Sequence, residues 1–258
     1  MTTEKNATRP LALVTGGSRG LGKSMALHLA ARGADVIVTY REKEADAAFV
    51  VRAIAAAGGK GAALRLDTSD AKSFDAFVTT LRGTLAKTFG RERLDHLVNN
   101  AGTALHAMFA ETTEAQFDEV MNVHVKGPFF LTQKLLPLIA DGGRILNVSS
   151  GLARFSFPGS SAYGSAKGAI EVLTRYQARE LAARGITVNV LAPGAIETDF
   201  GGGRVRDDRQ LNQMIASQTA LGRVGLPDDI GAAVAMLLSP DARWITGQRI
   251  EASGGMAL

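Results

Sequence analysis

The chain has 258 residues, 46% of them hydrophobic and 21% charged, with 29 Lys and Arg against 25 Asp and Glu and no cysteine. This is an ordinary globular composition, and the missing cysteine excludes a disulfide scaffold, a thiolate metal site and a cysteine nucleophile. The formal charge of +4 arises from bases interleaved with acids, without the basic stripe that nucleic acid requires, and the longest apolar run, Ala232 to Leu238, is far short of the ~20 residues of a membrane span.

Residues 1–10 mix Glu4 with Lys5 and Arg9 and lack an apolar core, so they read as a short flexible tail and not as a signal peptide. Residues 11–258 then form one domain of a soluble, cytoplasmic protein, a length common for a single α/β unit. From Leu11 onward, apolar runs of β type alternate with segments of helical period, the pattern of a parallel sheet with crossover helices. The strands are expected at Leu11 to Thr15, Val36 to Tyr40, Ala62 to Leu66, Leu94 to Val98, Arg144 to Val148, Ile186 to Leu191 and Arg249 to Glu251. Several are nearly continuous in Val, Ile and Leu, as strands covered on both faces require.

Between the first two strands, Leu21, Met25 and Leu29 recur every four residues on one helical face, and Gly33 is placed to end the helix. Further helices are expected at Glu42 to Ala57, Asp70 to Phe89, Thr113 to Ile139, Ala162 to Arg184 and Pro227 to Leu238, the fourth bent or shortened by Pro128 and Pro137. The fold class is therefore α/β: a doubly wound, Rossmann-type parallel sheet of six or seven strands with helices on both faces. The segment 195–218 interrupts this rhythm with Gly201, Gly202 and Gly203 and the charged run Arg204 to Arg209. It reads as a lid over a ligand or, equally, as a solvated loop.

Where the first strand hands over to the first helix stands Thr15-Gly16-Gly17-Ser18-Arg19-Gly20-Leu21-Gly22. Glycines here permit a tight turn and let a pyrophosphate approach backbone N–H groups at a helix N-terminus, so Gly16, Ser18, Arg19, Gly20, Leu21 and Gly22 are expected to bind a dinucleotide. An NAD site places an acid near the end of the second strand, but this chain has Tyr40 and then Arg41. Arg41 and Arg19 together suit a 2′-phosphate, which favours NADP(H). NAD(H) stays open as the alternative if Glu42 takes the role of the acid.

The Gly-rich turn, Asn99-Asn100-Ala101-Gly102 and Tyr163-x-x-x-Lys167 follow one another in an order that resembles the classical short-chain dehydrogenase/reductases, over Leu11 to Gly255. The late Gly222-Arg223 and Ile245-Thr246-Gly247 segments agree, whereas Ser253-Gly254-Gly255 departs from the usual Asp-Gly-Gly and puts local packing or subunit contacts there in question. The resemblance implies that Asp67 meets the adenine amino group with Thr68 beside it. It further implies that Asn100, Ala101 and Gly102 line the adenosine and ribose, and that Pro193, Gly194, Ile196 and Thr198 hold the nicotinamide carboxamide. Tyr163 and Lys167 also belong to the cofactor site.

Tyr163 and Lys167, four apart, share one helical face. A neighbouring ammonium is expected to lower the tyrosine pKa, so that Tyr163 exchanges a proton with the substrate oxygen. Ser150 lies at a strand's C-terminal end, where open parallel sheets bind ligands, and would hold that oxygen; Ser149 competes for the role. Asn122 is implied by the resemblance as the fourth catalytic residue, keeping a water in a proton relay to Lys167. His28, His96, His106 and His124 lack ligand spacing, so no metal is expected and core or surface histidine is the default. His106 and Met108 lie where they could touch substrate.

The expected activity is NADP(H)-dependent interconversion of a ketone and a secondary alcohol on a small molecule. The 3-oxoacyl-carrier-protein reductase type ranks ahead of alcohol, sugar or steroid dehydrogenases. A catalytically silent NADP(H)-binding sensor or interaction subunit is the rival from another class. The resemblance also implies a homotetramer or homodimer.

Overall fold

The computed structural model describes residues 9–258; most of the expected N-terminal tail, residues 1–8, lies outside them. Seven parallel strands form one sheet in the order β3-β2-β1-β4-β5-β6-β7. They are β1 Leu11–Val14, β2 Asp35–Tyr40, β3 Gly61–Arg65, β4 Leu94–Asn99, β5 Ile139–Val148, β6 Thr187–Pro193 and β7 Arg249–Ala252. The order reverses between β1 and β4, so the strand ends open a crevice there, where doubly wound sheets bind ligands.

Side-chain alternation along each strand builds two cores. Ala12, Val14, Val36, Val38 and Val98 face α1 (Gly20–Ala31), α2 (Glu44–Ala56) and α9 (Pro227–Leu237). Leu11, Leu13, Ile37 and Leu97 face the other way, onto α3 (Phe74–Thr84), α5 (Gly127–Leu135) and α6 (Ser161–Leu181). Helices α1 and α9 pack closely because Gly231 leaves room: a Cβ there would stand 2.4 Å from Ser24 Oγ.

One expected helix is broken for an identifiable reason, and the segment after β6 holds helices of its own. The fourth runs as α4 (Glu114–Met121), a wide π turn over Asn122–Lys126, then α5, and ends in a 3-10 turn over Leu136–Leu138. Pro128 and Pro137 carry no N–H for the helical ladder, so the chain widens before the first and tightens around the second. The N-terminus of α4 carries the Thr113 and Gln116 capping box. The segment 195–218 is structured, with a 3-10 turn at Phe200–Gly203 followed by α7 (Arg204–Asp207) and α8 (Arg209–Ser217). Gly201, Gly202 and Gly203 all take positive φ, the conformation that a Cβ disfavours.

The departure at Ser253 is accommodated locally. Its hydroxyl donates to Glu251 Oε1 at 2.8 Å and accepts from the Met256 N–H at 3.3 Å, which closes the C-terminal turn. Among the described residues, no helix is long and apolar enough to cross a membrane.

Candidate active site

The Gly-rich turn is fastened to the turn after β4 by one hydroxyl. Thr15 Oγ1 accepts from the Asn100 and Ala101 N–H groups at 2.9 and 3.0 Å and donates to the Val98 carbonyl at 3.2 Å. The Asn100 side chain returns the contact, donating to the carbonyls of Thr15 at 2.8 Å and Gly16 at 3.3 Å. Gly16 has φ +63, and a Cβ at Gly22 would stand 2.2 Å from the Gly16 oxygen. Only glycine allows the turn to fold this tightly onto α1.

The cap residue of α1, Arg19, makes no side-chain cap hydrogen bond, so the first-turn N–H groups keep their donors for an anion. Ser18 is buried and Leu21 partly buried beside them, with the Arg19 side chain exposed. Thr198 is buried next to Gly20, whose Cβ would lie 3.8 Å from Thr198 Cβ, and this brings the loop after β6 to the same turn. Pro193 closes the pairing with Ala252, and Gly194 donates to the Ala252 carbonyl. Ile196 bridges to Gly225 and packs on the first core.

At the other end of the crevice, Tyr40 is partly buried against α2, and burial pushes its phenol pKa up. Arg41 is exposed and pairs with Glu42 at 3.1 Å. The Asp67 carboxyl titrates below its usual range: burial opposes this, but Ser69 Oγ at 2.6 Å, its N–H, and the charges of Arg41 and Arg65 outweigh it. Thr68 is buried next to it. Arg65, which the sequence reading passed over, donates to the Arg41 carbonyl at 3.3 Å, so two guanidinium groups gather here. The glycine cradle and these arginines fit a dinucleotide carrying an extra phosphate.

The chemistry-bearing residues gather at the C-terminal end of β5. Ser150 Oγ accepts from the Leu152 N–H at 3.2 Å and sits close enough to the Tyr163 phenol to pull its pKa down against burial. Ser149 is engaged elsewhere, its one hydroxyl proton lying between Glu171 Oε1 at 2.7 Å and the Lys167 carbonyl at 3.2 Å, whereas Ser150 is turned to the Tyr163 side. Lys167 is buried and its Nζ donates to the Val148 carbonyl at 2.7 Å, lying 5.5 Å from the centre of the Tyr163 ring.

The acid–base balance differs from expectation. Burial pushes the Tyr163 phenol up from its ordinary value, with the Ser150 hydrogen bond opposing, and it pulls Lys167 down to about 7. Desolvation outweighs the ammonium effect that the spacing suggested.

Asn122 is not brought to this cluster. It lines an outward cleft with Met121, Val125, Phe129 and Phe130, and its carbonyl accepts the Gly127 N–H across the π turn. The residue on the inward side is His124, which is buried and meets the Tyr163 ring edge-on with centroids 5.2 Å apart. The sequence carried a signal for it: Val120, Val123, His124, Gly127 and Leu131 are buried at steps of three and four, and Asn122 falls off that stripe.

Gly102 lies against His124, where a Cβ would stand 2.7 Å from the ring. Phe200 lies 6.1 Å from Tyr163, and Gly201 approaches Ala104, so the segment after β6 comes close to the cluster and to the loop after β4. Phe109 is 85% exposed and Met108 half-exposed on the loop after β4. Phe155 and Phe157 meet edge-to-face at 5.6 Å and pack with Leu211 and Ile215 of α8. His106 lies flat against Gly159.

The family described as enoyl-(acyl carrier protein) reductase matches residues 16–257. An oxidoreductase of Methylorubrum extorquens is 40% identical over 246 residues, covering 95% of this chain and 97% of the relative. The hydroxynaphthalene reductase-like protein Arp2 of Metarhizium robertsii is 36% identical over 264 residues, covering 98% and 97%. Among solved structures, the promiscuous reductase LugOII, which catalyses keto-reduction at C1 during lugdunomycin biosynthesis, superimposes with a TM-score of 0.92 at 39% identity, covering 97% of this chain and 99% of the other. The angucycline C-6 ketoreductase LanV with bound NADP gives 0.91 at 38% identity, covering 96% and 95%.

Proposed function

The chain belongs to the classical short-chain dehydrogenase/reductase family, and from that premise we propose that it is an NADPH-dependent ketoreductase acting on a flat, fused-ring aromatic ketone. The observation that carries the reading is the cluster of Ser150, Tyr163 and Lys167 at the end of β5, with Phe200 6.1 Å from Tyr163 and with Met108 and Phe109 exposed on the loop after β4. Aromatic and thioether side chains offer a planar substrate large, dry contact surfaces. The relatives whose names state a substrate are ketoreductases or a hydroxynaphthalene reductase, which supports a ring ketone over the 3-oxoacyl thioester ranked first from the sequence. The spacing of four between Tyr163 and Lys167 supports carbonyl rather than enoyl chemistry.

The Gly-rich turn, Arg19, Arg41 and Arg65 would hold the dinucleotide, which supplies reducing equivalents when bound. The residues of this chain supply position and a proton. Ser150 holds the substrate oxygen beside Tyr163. Because burial keeps the phenol protonated, Tyr163 can deliver its proton to that oxygen as charge develops there, and the Lys167 ammonium then stabilises the phenolate left behind. Lys167 is cationic below about 7, so reduction is expected to weaken as pH rises through that value.

The segment 195–218 serves as the cover of this pocket, with its three glycines as the hinge. Exposed Phe117, Phe129, Phe130, Val172 and Tyr176 on α4, α5 and α6 support a homo-oligomer built through those helices.

The test is loss of reduced-nicotinamide absorbance over a panel of hydroxynaphthalenes, fused-ring ketones and acetoacetyl thioesters, with NADH as control. Preferred turnover of the ring ketones is expected. Turnover confined to thioesters refutes the substrate class, and tight NADPH binding without turnover on any ketone moves the chain to the silent binder.

A further inference from the structure

We propose that His124 is the positioning residue of this active site: its ring edge seats the Tyr163 phenol, and its free Nδ1 presents a buried acceptor to the Lys167 side chain. The inference rests on the catalytic reading above.

Three observations carry it. First, His124 is 2% exposed and its ring stands at 86° to that of Tyr163, an edge-to-face contact that restricts how the phenol can turn. Second, the tautomer is fixed by the loop after β4. His124 Nε2 lies 2.8 Å from the Thr103 carbonyl oxygen, a contact that an N–H makes and a bare nitrogen does not. The Thr103 N–H is farther, at 3.3 Å. Nδ1 therefore keeps its lone pair, and among the described residues it is buried with no partner. Third, Lys167 Nζ lies 5.5 Å from the centre of the same Tyr163 ring that His124 meets edge-on, and its charge disfavours a protonated imidazole.

A buried acceptor without a donor is costly, and a buried ammonium with one bond out of three is equally incomplete. The Val148 carbonyl takes one Lys167 donor at 2.7 Å. Nδ1, through one water, answers the second need. The titratable groups on the helix packed against His124 are Tyr163 and Lys167; Glu171, one turn further along α6, is already spent on Ser149 and Arg249.

Burial first, then Lys167, hold the imidazole near a pKa of about 3, with the Thr103 contact opposing. His124 thus remains neutral throughout the working range. It acts as a fixed acceptor, not as a base, and its contribution is to keep Lys167 an ammonium in a site that would otherwise strip its proton.

Two substitutions separate the acceptor from the packing. His124→Phe keeps a ring edge against Tyr163 and removes the acceptor, whereas His124→Asn restores an amide oxygen and removes the ring. In His124→Phe, kcat for ketone reduction is expected to fall about tenfold and its alkaline limb to move about one unit toward lower pH, with NADPH Kd close to wild type and Tm lowered by the loss of the Thr103 contact. His124→Asn is expected to recover the position of that limb. A folded His124→Phe enzyme that keeps its kcat and pH profile overturns the proposal.

A second measurement does not need turnover. In the cofactor-free protein, nitrogen NMR of the His124 ring should show the proton on Nε2 and no titration near neutrality. A proton on Nδ1, or an imidazole that titrates there, overturns the assignment. If no ketone in the panel is reduced, the functional reading fails, while the tautomer measurement still decides this one.

Discussion

Arg41→Asp tests the cofactor end of the crevice. Arg41 is 57% exposed and its present partner, Glu42, stands 3.1 Å away, so a phosphate must displace a weak surface pair rather than fill an empty site. A charge-assisted hydrogen bond contributes roughly 1.5–3 kcal/mol, and this exposure argues for the lower end. Repulsion between the new carboxylate and a phosphate at close range in high dielectric adds about 1 kcal/mol. The sum, about 2.5 kcal/mol, weakens NADPH roughly 60-fold. NADH should hold or improve, because the new carboxylate can accept from a ribose hydroxyl. Arg65→Ala should weaken NADPH in the same sense, and the double variant should fall short of additivity, because Arg65 Nε donates to the Arg41 carbonyl at 3.3 Å. Direct titration with both nucleotides, followed by calorimetry or nicotinamide fluorescence, gives the ratio of dissociation constants. An NADPH to NADH ratio within twofold of wild type in Arg41→Asp refutes the phosphate assignment.

Gly22→Ala places a Cβ 2.2 Å from the Gly16 oxygen and 2.6 Å from Asn100 Nδ2; both NADPH affinity and Tm should drop, and calorimetry would expose an unperturbed protein as a contradiction. Tyr163→Phe should lower kcat by roughly 10²- to 10⁴-fold while NADPH Kd changes little, a split read by pairing steady-state rates with titration. The Glu251 carboxyl is held down to about 2 from 4.5 by Arg154 first, against burial, with Arg249 and Ser253 adding to it. Its folded pKa is depressed, so the stability it confers is complete above about 4.5 and is lost as pH falls toward about 2. Denaturant melts of Glu251→Gln across that window should show a flatter acid slope, and an unchanged slope would remove Glu251 from the account. Asn122→Ala should cost less activity than His124→Phe; the reverse order would return Asn122 to the site.

Much of this was legible because the signals were local and repeated. Most strands announced themselves by a run of β-branched and aliphatic residues, β7 (Arg-Ile-Glu-Ala) least of all, and the Gly-rich turn by glycines between a strand and a helix. The two short helices of the segment 195–218 left no signal in the sequence, because the triple glycine and the charged run mask them; one is capped by Asp208. The cluster around Tyr163 was legible as residue types, and the choice between Ser149 and Ser150 needed the third dimension. Arg65 was invisible as a partner of Arg41, since β3 and the loop after β2 meet only when the strands pair in register.

The displacement from Asn122 to His124 follows from helix geometry. Two residues along a helix point to nearly opposite sides, so of this pair only one can face Tyr163. Which one is decided by docking: Gly127 lies against the Thr68 carbonyl, where a Cβ would stand 2.2 Å from that oxygen, and this anchors the π turn on the end of β3. With Gly127 and Leu131 turned inward, the buried stripe runs back through His124 to Val120. Gly102 completes the arrangement from the other side, since any side chain there would occupy the place of the imidazole. Gly102 thus clears the place of the ring, and Gly127 lets the helix that carries it dock, so two glycines on different elements together set the residue that meets Tyr163.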